Sequence, residues 1–265
     1  HLVGCNEQGK VIGEGILMKV GEEKYKMSTL PWWQYIASLG KYDAVLTPEA
    51  PGTTKIYQVC GPNSIYLLEE VAGKSLRDTK FMHFRNIKID GKDVMATNGL
   101  TMSGEIGFEL HFPAIYDREI LNILLDAGKK YGICQLGSRT SMQHVEACFP
   151  TMGIHYLPAI FDESAADFNK FLDDIGFNFF IMKWKITGSY EGNDIQDYFF
   201  SPVEMGWASH IKFDHEFVGR KALEEEIKNP RKKVVTLELN MEDILDVYAS
   251  YFKKGEPYEF INFPH

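Results

Sequence analysis

A carboxylate in a segment marked by glycines could bind a flat polar ligand. The segment runs Gly104-Glu105-Ile106-Gly107-Phe108-Glu109-Leu110, and its glycines permit a tight turn or a close backbone approach. In strand alternation, Glu109 points to the face opposite Phe108 and Leu110. There its two oxygens could accept parallel hydrogen bonds from a planar donor edge. The alternative is a solvated glutamate on a half-exposed strand, and the spacing alone favours that alternative.

Two further side chains, Arg139 and Trp207, are of types that commonly bind ligands. Arg139 follows Gly137-Ser138 at the start of a predicted helix, where the helix dipole disfavours a cation, so its charge more reasonably serves a partner. Its planar guanidinium suits a carboxylate, although a surface ion pair with a neighbouring acid is the alternative. Trp207 could stack on a flat ligand, but a large aromatic side chain is more commonly part of a core.

The elements that must position Glu109 are a set of predicted strands and helices. Three strand-like runs lie between residues 84 and 112, separated by Asp90-Gly91 and Asn98-Gly99. Both dipeptides are strong hairpin signals. A strand over 56–59 precedes a helix over 63–71, which Asn63 or Ser64 could cap. Apolar residues at helical spacing predict the next helix over 116–131.

Outside this region, the pattern predicts a further mixture of strands and helices. Residues 11–27 read as a hairpin with its turn at 21–23. Other strands are predicted at 44–46 and 233–239, and other helices at 31–39, 138–148, 161–175, 219–227 and 241–250. Because strands and helices mix without regular βαβ alternation, the fold class is predicted to be α+β.

Composition excludes several classes of function. The chain has 265 residues and a net charge of -9, and it has no dense run of Lys and Arg beyond residues 228–233, whereas a nucleic-acid binder usually shows a basic face. No apolar run approaches the ~20 residues that span a bilayer. The four cysteines show no C-x-x-C pair and the eight histidines show no H-x-x-x-H spacing, so no metal site is predicted. We expect reduced thiols in a cytoplasmic protein.

A series of short motifs in fixed order resembles the folate-binding aminomethyltransferases, the family of the T-protein of glycine cleavage. The resemblance rests on these segments together: Asn6-Glu7-Gln8-Gly9, Val11-Ile12-Gly13-Glu14-Gly15, Gly61-Pro62-Asn63-Ser64, the segment 103–110, Leu136-Gly137-Ser138-Arg139 through Glu146, Met205-Gly206-Trp207 and Phe217-Val218-Gly219-Arg220.

The resemblance implies roles for the candidate residues. Glu109 matches the acid that holds the pterin ring of folate, and Arg139 matches an arginine at the folate site. Glu146 matches an acid for which a structural role is as reasonable as a binding one. Where the glycine-cleavage enzymes have two successive acids, this chain has Gly13 and then Glu14, so only the second acid is kept. This departure disfavours aminomethyl chemistry, and Glu14 is either a site residue or a solvated turn residue.

Later segments resemble one branch of the family, the tetrahydrofolate-dependent demethylases of methoxy-aromatic compounds. They are 156–161, 193–198 and 211–220. In that branch a tyrosine shortly after the Gly-x-Arg segment takes part in demethylation, and here Ser141 occupies that place. Because the leaving oxygen needs a proton, another general acid is required. The candidates are His155, Tyr156 and Tyr190; for each, the alternative is a loop or core role.

The resemblance therefore implies an aminomethyltransferase folate-binding fold over residues 1–265, in two intertwined α+β subdomains, with tetrahydrofolate as cofactor. We expect a piece of a longer protein, without the family's segment before Cys5 and most of its C-terminal small barrel. The expected function is methyl transfer from a small methoxy-aromatic donor to tetrahydrofolate, without nucleic-acid or membrane partners. The alternatives are a folate-binding protein without transfer activity and an aminomethyltransferase; the donor and the oligomeric state stay open.

Overall fold

The computed structural model describes residues 1–28, 31–50, 52–99, 101, 104–137, 140–177, 192 and 194–259. The chain divides into two compact units. Among the described residues, the first unit contains His1–Leu46 and residues 150–259, and the second contains Thr47–Phe149. The chain thus enters the first unit, completes the second as one continuous stretch, and returns to the first.

The second unit is built on a four-stranded antiparallel sheet. Its strands are β4 (Thr54–Cys60), β5 (His83–Ile89), β6 (Lys92–Asn98) and β7 (Gly107–Pro113), in the spatial order β4-β7-β6-β5. In β7, alternate residues Phe108, Leu110 and Phe112 are buried in the core of this unit. Because side chains alternate across a strand, Glu109 and His111 lie on the opposite face.

Two helices cover the apolar face of this sheet. They are α2 (Ser64–Ala72) and α3 (Asp117–Gly128), and a single 3-10 turn carries the second on to Tyr131. Their buried residues join one hydrophobic core with the strands; from the helices it takes Ile65, Leu68, Ile120 and Leu124. The helices predicted over 63–71 and 116–131 are confirmed. Asn63 is the N-cap residue, but its side chain makes no capping hydrogen bond. Its Nδ2 donates to the carbonyl oxygen of Tyr131 (3.2 Å), and Oγ of Ser64 donates to the carbonyl oxygen of Ile106 (3.1 Å).

The two predicted hairpin turns have different outcomes. Asp90 and Gly91 both have positive φ, 48° and 76°, which is the geometry of a tight two-residue turn. Asn98 instead belongs to β6, and the connection to β7 runs over residues 99–106. The Asn98 side chain is used elsewhere, because its Nδ2 donates to the carbonyl oxygen of Thr79 (2.7 Å). The prediction of a tight turn at Asn98-Gly99 is therefore wrong, although β6 and β7 do pair.

The first unit holds a three-stranded antiparallel sheet of β1 (Leu2–Cys5), β2 (Val11–Lys19) and β3 (Tyr25–Ser28). The hairpin predicted over 11–27 is confirmed by the pairing of β2 with β3. Helices α1 (Trp32–Ser38) and α5 (Ala166–Asp174) contact each other. Ile12 of β2 shares a core with residues far along the chain, namely Leu157, Ala159, Ile160, Phe168, Leu172 and Phe199.

The other helices are α4 (Thr140–Glu146) in the second unit, and α6 (Arg220–Glu226) and α7 (Met241–Ser250) in the first. The strands predicted at 44–46 and 233–239 are wrong, because neither segment is in a strand. Val45 is 92% exposed and Leu237 is 79% exposed, so neither segment has a sheet to pack on among the described residues.

The fold class is α+β, as the sequence predicts, with two antiparallel sheets and separate helices rather than βαβ repeats. Of the helices in the ranges described above, none combines the length and the apolar character that a membrane span requires.

Candidate functional site

Glu109 lies in the middle of β7, on the face of the sheet opposite to α2 and α3. The strand register places it between Gln58 of β4 and Thr97 of β6, and directly opposed side chains share a face. Its side chain is 28% exposed. Among the described residues, Oε1 of Glu109 has no hydrogen-bond partner. The carboxylate is therefore fixed in a strand and still able to accept hydrogen bonds from a ligand.

His111 holds the other oxygen of this carboxylate. Its Nε2 lies 3.3 Å from Oε2 of Glu109, and its own side chain is only 3% exposed. No motif in the sequence singles out His111. The signal that could have identified it is the two-residue spacing, since residues i and i+2 of a strand share a face.

Glu14 and Tyr156, two residues singled out in the sequence, meet in the first unit. The hydroxyl of Tyr156 donates a hydrogen bond to Oε1 of Glu14 at 2.7 Å. Nε2 of His1 lies 2.8 Å from Oε2 of the same carboxylate. Glu14 is therefore a carboxylate with both oxygens in contact with side chains of its own unit, in contrast to Glu109.

Tyr156 is buried, with 1% of its surface exposed. Burial and the neighbouring Glu14 carboxylate raise the pKa of its hydroxyl well above the usual 10.0. A general acid must reach the atom that it protonates, and this hydroxyl is already directed at Glu14. Through this hydrogen bond, Tyr156 can orient the carboxylate of Glu14.

Trp207 lies beside this pair. It packs on the buried cluster of Val11, Tyr156 and Met205. The ring of His1 contacts it edge-on, at 5.1 Å between ring centroids. Tyr156, Glu14 and Trp207 are thus neighbours in one unit, although nearly 200 residues of sequence separate Glu14 from Trp207.

His155 has a local role in its turn. Its ring Nδ1 accepts a hydrogen bond from the backbone N–H of Thr151 (3.0 Å). The backbone N–H of His155 donates to the carbonyl oxygen of Thr151 (2.9 Å). Arg139 and Tyr190, the remaining predicted site residues, lie outside the described residues. Ser141 belongs to α4.

Each unit contains a cavity, and neither is lined by the predicted residues. The cavity in the second unit has a volume of about 640 Å³ and lies between β4, α3 and the segment after Tyr131. The cavity in the first unit is about 370 Å³, and Lys10, Glu204 and Lys232 are among its charged lining residues. In the described part of the chain, no three His, Cys, Asp or Glu side chains are grouped so that they could hold a metal ion.

A comparison with known families decides the relationship. The family profile described as the GCVT N-terminal domain matches residues 2–158. The chain belongs to the GCVT family. The matched region includes Glu14, Glu109, Arg139, His155 and Tyr156, whereas Tyr190 and Trp207 lie beyond it. The resemblance seen in the short motifs is thereby confirmed.

Curated relatives show which members of the GCVT family are similar to this chain. A syringate O-demethylase from a Sphingobium species is 31% identical over 279 residues, covering 99% of this chain and 58% of that protein. A sesamin methylene transferase from a Sinomonas species is 30% identical, with coverage of 99% and 58%. An aminomethyltransferase from Exiguobacterium sibiricum is 25% identical, with coverage of 97% and 61%.

The chain thus spans somewhat less than two thirds of the length of these GCVT relatives. Identity to the demethylase and the methylene transferase exceeds identity to the aminomethyltransferase. This order agrees with the loss of one acid at Gly13, and it supports the prediction of a family member similar to the O-demethylases.

Proposed function

We propose that the full-length protein transfers a methyl group from a methoxy-aromatic donor to tetrahydrofolate. The observation that carries this proposal is the similarity to a syringate O-demethylase along 99% of the chain. The partly open carboxylate of Glu109 supports the folate part of the proposal, because the resemblance places the pterin-binding acid at that position. We further propose a cytoplasmic location, since all four cysteines are free thiols.

The residues at Glu109 fit a pterin ring. The amide-like edge of a pterin presents two parallel donors, and a carboxylate accepts such a pair well. Oε1 has no partner among the described residues, and Oε2 keeps a second lone-pair site beside its contact with His111. Arg139 is proposed to bind the carboxylate tail of folate. When bound, tetrahydrofolate supplies the N5 nucleophile that accepts the methyl group.

The protein must also help the methyl group to leave its oxygen. When the ether bond breaks, the oxygen keeps the electron pair and needs a proton, which a general acid supplies. Because the buried Tyr156 hydroxyl donates to Glu14, we propose that Tyr156 orients Glu14 and does not itself meet the donor. His155 and Tyr190 then remain as the candidates for the acid, and Trp207 is a proposed stacking surface.

The first experiment measures calorimetric binding of tetrahydrofolate to the full-length protein and to its Glu109→Ala variant. We expect the variant to lose binding by about 10-fold or more, because hydrogen bonds to a charged group contribute about 1.5–3 kcal/mol. The matched control is Asp93→Ala, which removes an 85% exposed carboxylate from β6 of the same sheet and should leave binding unchanged. No binding by the unsubstituted protein would exclude both the transferase and a folate-binding protein without activity.

The second experiment detects the product. The full-length protein is incubated with tetrahydrofolate and syringate, and with tetrahydrofolate and sesamin in parallel, and methylated folate is measured by mass spectrometry. Methyl-tetrahydrofolate with syringate supports the proposal. A methylene product with sesamin alone would assign methylene transfer instead. Folate binding without either product would favour a binding protein without transfer activity.

A further inference from the structure

His111 and Glu109 form a side-chain pair on one face of β7. Nε2 of His111 lies 3.3 Å from Oε2 of Glu109. A carboxylate only accepts hydrogen bonds, so in this contact Nε2 carries the hydrogen and donates. His111 is therefore bonded to the one side chain of this strand that the proposed function assigns to the pterin.

We propose that His111 is a positioning residue for pterin recognition, acting through Glu109. This inference rests on the proposed function and adds a residue to its site. His111 does not contact folate in this proposal. Its role is to hold one carboxylate oxygen, so that the plane of the carboxylate is set before the ligand arrives.

The geometry of a two-hydrogen-bond contact requires such a constraint. A glutamate side chain rotates about three bonds, and its terminal torsion is broad, so an unrestrained carboxylate samples many planes. A hydrogen bond to Oε2 restricts that rotation and leaves Oε1 available. Pre-organisation of this kind raises affinity because less conformational freedom is lost on binding.

His111 is itself held firmly enough to act in this way. It is buried, with 3% of its side chain exposed. The register places it between Ile56 of β4 and Met95 of β6, so both its cross-strand neighbours are apolar. A donor on a buried strand position has few alternative rotamers, and the direction of its N–H is therefore well defined.

A role in packing alone explains a histidine at position 111 less well than a role in holding Glu109 does. Nδ1 of His111 is buried and has no hydrogen-bond partner among the described residues, and burying an unpaired polar atom is unfavourable. An apolar side chain like those of Ile56 and Met95 would fill the position without that cost. Within the described residues, the hydrogen bond that the His111 side chain does make is the one from Nε2 to Glu109.

The test is a double-mutant cycle on tetrahydrofolate affinity in the full-length protein. His111→Leu removes the donor, and His111→Gln keeps a donor near the place of Nε2. Each is measured alone and together with Glu109→Ala by calorimetry. We expect His111→Leu to weaken affinity about 3- to 10-fold, the loss of one hydrogen bond, and His111→Gln to retain most of it. In the Glu109→Ala background, His111→Leu should have no further effect.

Steady-state kinetics give a second readout. A positioning role in folate binding should raise KM for tetrahydrofolate and leave kcat at saturating folate within about twofold. Met95→Leu, a swap of similar volume beside His111, is the control for packing and should change neither value.

The outcomes separate this inference from the proposed function. If the unsubstituted protein binds no folate, the proposed function fails first. If it binds folate, three results would each overturn the role of His111: no effect of His111→Leu, an equal loss with His111→Gln, or an undiminished loss in the Glu109→Ala background.

Discussion

At the scale of single residues, the two candidate carboxylates differ in their contacts, Glu14 within the first unit and Glu109 within the second. Glu14 contacts both the hydroxyl of Tyr156 and the ring of His1 through its two oxygens. Glu109 has one oxygen near His111 and the other open within the described residues. A carboxylate with open acceptor sites can bind a ligand directly, and one that is held on both sides is better suited to shaping its surroundings. The two residues are therefore proposed to have different roles.

Tyr156→Phe tests the bond to Glu14. We expect the free energy of unfolding at neutral pH to fall by about 1.5–3 kcal/mol, because a buried donor to a charged acceptor is removed. Tyr35→Phe is the control: the Tyr35 ring packs in the core beside Phe168, and its hydroxyl has no hydrogen-bond partner in the described part of the chain. The free energy is measured by urea denaturation, and an equal loss in both variants would contradict a specific role for the bond.

The same pair predicts a dependence on pH. The pKa of Tyr156 is raised above the usual 10.0 in the folded state, so above about pH 10 the unfolded chain loses this proton first and the folded state becomes less stable. Phenylalanine has no proton to lose. The stability advantage of the unsubstituted protein over Tyr156→Phe should therefore be full below pH 10 and shrink as the pH rises further. An advantage that stays constant in this range would show that the hydroxyl is not buried as described.

Residue patterns in the sequence predict some of this site and not the rest. Alternation along β7 places Glu109 opposite Phe108 and Leu110, and the structure confirms that face. Alternation also puts His111 beside Glu109, but it cannot show that His111 is buried, since burial depends on what covers the strand. The bond between Tyr156 and Glu14 joins residues 142 positions apart, and no local pattern carries information about such a contact.

Elements position these residues through close backbone contacts, and Gly107 is the clearest case. A Cβ at Gly107 would lie 2.6 Å from the carbonyl oxygen of Val59 and 2.8 Å from Cα of Cys60. Both are backbone atoms of β4, which cannot move aside without breaking the pairing of β4 with β7. The first residue of β7 must therefore be glycine for Glu109 to sit at its place in the register.

Gly107→Ala is expected to lower the free energy of unfolding by about 1–3 kcal/mol, the usual cost of overpacking. It should also weaken binding of tetrahydrofolate, because β7 must shift to relieve the contact. Gly99→Ala is the matched control, since among the described residues other than its chain neighbours the nearest atom to its Cβ would be Cγ2 of Thr97, at 3.7 Å. Chemical denaturation and calorimetry measure the two effects, and equal stability of the two variants would contradict the close approach.

The sequence predicts a turn or a helix correctly where neighbouring residues determine its conformation. It predicts a strand less well, because a strand also requires a second strand to pair with. The turn at Asp90-Gly91 needs two residues with positive φ, and the dipeptide supplies them. The apolar runs 44–46 and 233–239 have strand composition, but a strand also requires a neighbour to share its hydrogen bonds. In the structure those segments have none among the described residues.

At the scale of the whole molecule, the two units differ in whether one continuous stretch of the chain contains the whole core. This difference determines which unit should fold alone. The second unit is continuous from Thr47 to Phe149 and has its own core between its sheet and two helices. The first unit is assembled from two separate stretches, because Ile12 of β2 shares its core with Leu157 and with residues that follow it. A fragment with all its core partners should fold, and one without them should not.

We therefore expect a fragment of residues 47–149 to fold alone and to unfold cooperatively, with a stability of about 5 kcal/mol or less for so small a core. A fragment of residues 1–46 should stay unfolded, and so serves as the control. Circular dichroism and amide dispersion in NMR spectra distinguish the two. In the larger fragment, Leu110→Ala, at a fully buried position, should cost about 2–5 kcal/mol and abolish most of its structure. A 47–149 fragment without dispersed amide signals would mean that its core depends on contacts outside this unit, and the sheet that carries Glu109 and His111 could then form only in the whole protein.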